Sequence, residues 1–167
     1  RETAREDCAA ERPLEAEAGA AFRGLMGDLI DRVNLVWLLR YRFNYHLPPG
    51  QVYFLLVDSH YSLAGARLRE LAALDTPEAV LDALPPGWRK RLAGASDIPG
   101  VFARLEQAGA ERAARVLRAK APAIARAFAY LILRERELRA LRAVLRGRHL
   151  GLAGADIRLA LHREVGG

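Results

Sequence analysis

Apolar residues at Phe22, Leu25, Met26, Leu29, Ile30, Val33, Val36, Trp37 and Leu38 recur in steps of three and four. That spacing collects them on one side of an α-helix and is incompatible with the two-residue alternation of a half-buried strand. It predicts one long helix, or two abutting ones, from Glu15 to Arg42, weakened in front by Gly19, Gly24 and Gly27 and stopped by Pro48-Pro49-Gly50. A second long helix is expected after Pro122, from Ala123 to about Arg148. Between them, Leu63 to Leu74 reads as helix. Thr76-Pro77 reads as an N-cap with proline at the first helical position of a helix to Leu84, closed by Pro85-Pro86-Gly87. Trp88 to Leu92 suggests a short helical turn, Ser96 to Gly100 a loop, Val101 to Lys120 a helix, and Gly154 or Ala155 to Glu164 a last one.

With 167 residues and 51% apolar composition, the chain can bury one core. Residues 1–14 are expected to be poorly structured or a helix start, and residues 15–167 to form a single all-helical domain. The charged, alanine-rich opening at Arg1 reads as part of something longer or as a trimmed product. A lone Cys8 allows no internal disulfide and suits a reducing compartment. No run approaches the roughly 18 to 20 apolar residues of a bilayer span, and no signal segment opens the chain, so a soluble cytoplasmic protein is expected. The net charge of +6 is almost wholly arginine, with Lys90 and Lys120 the only lysines. Acidic groups gather in residues 1–31, eight against four basic, and basic ones in residues 101–149, twelve against four acidic. Such a polarity suits nucleic acid, an acidic membrane surface or an acidic protein, and does not choose among them.

Two segments read as copies of one unit. Leu35 to Arg42 aligns with Leu141 to Arg148 at a spacing of 106 positions, as from Arg40 to Arg146. With the register changed by one residue, Leu47-Pro48-Pro49-Gly50 through Leu56 meets Leu152-Ala153-Gly154 through Leu161. Each copy is a long apolar helix ending in Arg-x-Arg, a tight turn and a short amphipathic helix. Within the strand-like run Val52 to Val57, Val52 to Leu56 is therefore expected to be helical. The fold class that follows is all-α, stacked helical modules in a helix-hairpin quasi-repeat with no significant β-sheet. The repeated arginines have two readings: complementing the negative end of the helix dipole, or meeting a partner.

These blocks, Asp31 to Arg42 with Leu47-Pro48-Pro49-Gly50 and Ala129 to Arg142 with Arg146-Gly147-Arg148, resemble the subunit called C in archaeal and bacterial A-type or V-type ATPases and d in eukaryotic ones. The resemblance runs from about Gly27 to Leu161 and matches the last of that family's three helical modules plus the helix before it, which makes this chain the C-terminal part of a longer subunit. It departs from the pattern at Asp58-Ser59-His60, where the family often has a Pro and Gly turn, and at Ala140, where it commonly has Asn. The resemblance implies a non-catalytic, funnel-like helical body. It would be seated on the proteolipid ring, receive the central stalk and pass torque between them during ion transport. The partners implied are central stalk subunits and the proteolipid ring, with no nucleic acid and no cofactor. Attachment to the cytoplasmic face of the membrane would run through protein partners. Arg40, Arg42, Arg139, Arg142, Arg146 and Arg148 are the partner-facing candidates; a solvated face paired with Glu135 and Glu137 is the alternative.

Catalytic signatures are missing from the sequence. No Gly-x-x-x-x-Gly-Lys-Ser/Thr phosphate cradle occurs, and His46, His60, His149 and His162 are too scattered for a local metal motif. Asp58, Ser59 and His60 are consecutive and point in different directions, which disfavours a triad. Trp37, Trp88, Tyr41, Tyr45, Phe43 and Tyr53 flank arginines and suit either base stacking or packing. A basic helical nucleic-acid-binding module is the runner-up function, with affinity that would fall steeply with salt.

Overall fold

The computed structural model describes residues 3–157 except His60 and Ser96, with side chains from Gly19 onward. Among these residues every regular element is helical and no strand occurs. Helix α1 spans Thr3–Leu39 and passes into a π-helical turn, Arg40–Asn44. Four short helices follow: α2 (Pro49–Leu55), α3 (Gly65–Ala72), α4 (Pro77–Ala83) and α5 (Pro86–Leu92). Two long ones, α6 (Ile98–Arg118) and α7 (Ala123–His149), complete the body, with a helical turn at 154–157.

Proline governs the short helices more than the sequence pattern suggested. Pro48-Pro49 and Pro85-Pro86 do not merely stop what precedes them; in each pair the first proline is the N-cap and the second begins α2 or α5. A fixed φ and a missing N–H cost nothing in a first helical turn, where the N–H has no intrahelical acceptor. The expected loop at Ser96 to Gly100 is shorter for the same reason. Asp97 caps α6 by accepting from the Gly100 amide at 2.8 Å, and Pro99 sits in the first turn. Thr76 caps α4 as expected, its hydroxyl accepting from Ala79 N at 3.1 Å. Helix α1 yields at His46, whose φ of 54° is left-handed, before Pro48 is reached. Of the last predicted helix, residues 158–164 lie outside the described residues.

The core has two parts. In the larger, Leu35, Val36, Leu38 and Leu39 of α1 meet Val52, Leu63, Leu68, Leu71, Val80, Leu84 and Trp88 from the short helices and loops, with Val101 and Leu105 of α6. In the smaller, Leu25 of α1 packs with Ala113 of α6 and Ala129 of α7, and Phe128 and Ile132 lie against them. Alanines at the contact let the three long helices approach closely. Helix α6 runs antiparallel to α1, bringing Arg112 to Asp28 and Glu106 to Arg32. It is also antiparallel to α7, where Arg136 donates to Gln107 at 2.8 Å. Helices α1 and α7 therefore run parallel, Phe22 edge-on to Phe128 with ring centroids 5.0 Å apart.

The quasi-repeat is visible in hydrogen bonds. Leu47 N donates to Tyr41 O at 2.8 Å, and Leu152 N donates to Gly147 O at 3.0 Å, so each turn closes on the middle residue of its Arg-x-Arg. Val52 N bonds Pro48 O at 3.2 Å and Ile157 N bonds Ala153 O at 3.1 Å, opening the turn helix in each copy, and Val52 and Ile157 are both buried. The one-residue change of register between the copies has a structural cause. The first copy contains the π-helical turn, closed by Tyr45 N donating to Arg40 O at 2.9 Å, and a π turn holds one residue more than the α-helical path of the second. At Gly147, a Cβ would come to 2.6 Å from Ile157 Cγ1, so this helix end admits no side chain if Ile157 is to seat.

Candidate partner interface

Polar side chains of α1 fasten the first copy internally. Asn34 is fully buried, its amide donating to Val57 O and accepting from Val57 N, both at 2.8 Å, which mimics a strand pairing with the chain after α2. One turn earlier, buried Asp31 accepts from Ser59 Oγ at 2.9 Å, Ser62 N at 2.9 Å, Ser62 Oγ at 2.8 Å and Leu63 N at 3.2 Å. Ser62 Oγ in turn accepts from the Trp88 indole at 2.9 Å, which links α1, the loop and α5. The Ser59 hydroxyl thus donates to Asp31 and accepts from Tyr61 N at 3.2 Å; His60 lies outside the described residues. The sequence departure at Ala140 also acquires a reason. Asn34 is needed where a returning loop must be held, whereas Ala140 is exposed and faces no such loop among the described residues.

A second polar knot joins the three long helices. Arg32 meets Glu106 at 2.7 Å, with side chains only 13% and 9% exposed, and Arg139 reaches the same carboxylate at 3.8 Å while pairing with Glu135 at 2.6 Å. Burial pulls the Arg32 guanidinium below the usual arginine value, and Glu106 opposes that shift. A recess of about 90 Å³ opens beside the knot, lined by Leu29, Arg32, Glu106, Phe128, Glu135 and Arg139 among others. Three arginines, Arg32, Arg136 and Arg139, and two carboxylates, Glu106 and Glu135, line it. No group of three or more His, Cys, Asp or Glu able to hold a metal occurs among the described residues.

The six candidate arginines divide between two environments. Arg42 is drawn inward, with Nη1 donating to Leu47 O at 3.1 Å and Nη2 to Leu74 O at 3.0 Å; it ties the turn after α1 to the end of α3. Arg40 lies over the Trp37 ring at 5.4 Å. That ring begins an aromatic ladder through Tyr41 and Tyr45, with centroid separations of 5.1 and 6.1 Å, carried along the π turn and exposed at Tyr45. Arg139, its side chain 43% exposed, reaches the knot from its outer side through Glu106 and Glu135. Arg142, Arg146 and Arg148 are exposed and enter no ion pair among the described residues. Arg134 pairs with Glu137 at 2.8 Å, and that hydrogen bond raises its pKa above the ordinary arginine value.

The face that sequence reasoning missed is apolar. Along α7, Ile124, Leu131, Leu141 and Leu145 are more than half exposed and Leu138 is over a third exposed, a concentration uncommon on a self-contained monomer. The signal lay in the repeat. Leu131, Leu141 and Leu145 occupy the positions of Leu25, Leu35 and Leu39 in the first copy, all buried. Among the described residues, no layer of short helices lies over the second copy as it does over the first.

The family model for the ATP synthase (C/AC39) subunit matches residues 8–159. The chain belongs to that family. No curated protein and no solved structure gives a significant match to it. Membership of the C/AC39 family makes the chain a subunit of a V- or A-type ATPase complex, in agreement with the resemblance carried by Asp31 to Arg42 and Ala129 to Arg148. Among the described residues no helix is long and apolar enough to cross a membrane.

Proposed function

We propose that the chain is a non-catalytic linker of a rotary V-type or A-type ATPase. It joins the central stalk to the proteolipid ring and passes torque between them during ion transport, peripheral on the cytoplasmic side. The match to the C/AC39 family over residues 8–159 is the observation that carries this reading. Mechanical design supports it. Three long helices locked by small-residue contacts and by the Arg32–Glu106–Arg139 knot resist shear, because close-packed interiors are weakly compressible and hold discrete arrangements. The nucleic-acid alternative draws less support, since Arg32, Arg42, Arg112, Arg134 and Arg139 are engaged with partners inside the chain. Co-expression with the central stalk and proteolipid subunits of the same genome is the test. Co-purification with stalk and ring, lost at high salt if the arginines contribute, is expected; recovery of both assemblies without this chain refutes the linker role.

A further inference from the structure

Four of the exposed apolar residues of α7, Ile124, Leu131, Leu138 and Leu145, stand seven positions apart, at 58%, 60%, 37% and 59% exposure. A seven-residue repeat is the spacing of a coiled-coil seam: it drifts only about 20° per heptad around a straight helix, a drift that a second helix follows by supercoiling. The companion seam positions, three residues further on, are Ala127, Arg134, Leu141 and Arg148, with Leu141 54% exposed. The first copy of the repeat shows what such positions look like when covered: Leu25, Leu35 and Leu39, the counterparts of Leu131, Leu141 and Leu145, are at most 3% exposed beneath helices of this chain. A narrow heptad stripe calls for a helix across it, not the broad apolar face of a helix lying in a lipid surface.

We propose that the leucine seam of α7 docks an amphipathic α-helix of a partner protein, with leucines facing Leu131, Leu138, Leu141 and Leu145 and carboxylates facing Arg142 and Arg148. Charge selects this occupant. Arg148 at the seam and Arg142 beside it, exposed and in no ion pair among the described residues, accept a Glu or Asp opposite them and reject a basic helix. They also reject a second copy of this chain. In a parallel pair Arg134 and Arg148 would face their own images, and in an antiparallel pair they would face leucines. The proposal rests on the linker reading only for the claim that the partner belongs to the rotary complex; the docking chemistry stands on α7 itself.

The test titrates the full chain with two labelled four-heptad peptides, both with leucine seams, one flanked by glutamates and the other by lysines. Saturable binding of the acidic peptide, about tenfold or more tighter than the basic one and weakened by salt, is expected. The L138D/L145D variant should lose that binding while melting as the parent does, because both side chains are exposed. Equal binding of the two peptides, or none, overturns the proposal. So does concentration-dependent self-association in sedimentation, or tighter binding to anionic lipid vesicles than to the acidic peptide. A lowered melting temperature in L138D/L145D overturns it too, since the leucines would then already be covered within the chain. Failure here leaves co-purification with stalk and ring intact, so the two readings fail separately.

Discussion

Replacing Glu106 with alanine removes the carboxylate that neutralises Arg32 between α1 and α6. The guanidinium is 13% exposed, its partner 9% exposed and 2.7 Å away, so neither group can turn to water without opening the helix contact. Breaking a buried pair from one side leaves the other charge uncompensated, at about 3 to 5 kcal/mol. The slight residual exposure places the expected loss at the lower end, about 3 kcal/mol. For a chain of this size each kcal/mol lowers the midpoint by about 2 to 4 °C, giving a fall of about 6 to 12 °C. Urea and thermal unfolding followed by far-UV circular dichroism measure both quantities. Glu106→Leu with Arg32→Met replaces the pair by apolar groups of similar size and should return stability to within about 1 kcal/mol of the parent, or above it. A loss below about 1 kcal/mol in Glu106→Ala, or a double variant as unstable as the single one, refutes the assignment of an uncompensated buried charge.

The quasi-repeat makes a paired prediction: Leu35→Ala should cost about 2 to 5 kcal/mol through transfer and cavity formation, whereas Leu141→Ala, at its half-exposed counterpart, should stay within about 0.5 kcal/mol in the isolated chain. Equal losses at the two positions would mean that the second copy is covered after all. Asn34→Ala removes both hydrogen bonds to Val57 and should cost about 2 kcal/mol, with faster hydrogen exchange at the Val57 amide; unchanged exchange there would dismiss the amide clamp.

The long helices were legible in the sequence because their signal is local. The three- and four-residue spacing of Phe22 to Leu38 and the capping residue Thr76 act within a turn or two of their own positions. The repeat was legible as well, since Arg40-Tyr41-Arg42 and Arg146-Gly147-Arg148 keep their order and their turns. Its consequence was not. The alignment gives Leu35 and Leu141 the same position, yet one is fully buried and the other 54% exposed. Burial depends on whether other elements arrive over a face, and among the described residues only the first copy is followed by short helices that fold back over it. The partner-facing arginines divide for the same reason. Arg42 and Arg148 end the same motif, but Arg42 meets the carbonyls of Leu47 and Leu74, placed there by the turn and by α3. The helical and repeated character of the chain is thus written in spacing and residue type. Which copies of a motif face inward is decided by tertiary structure, because burial is a relation between segments far apart in the chain.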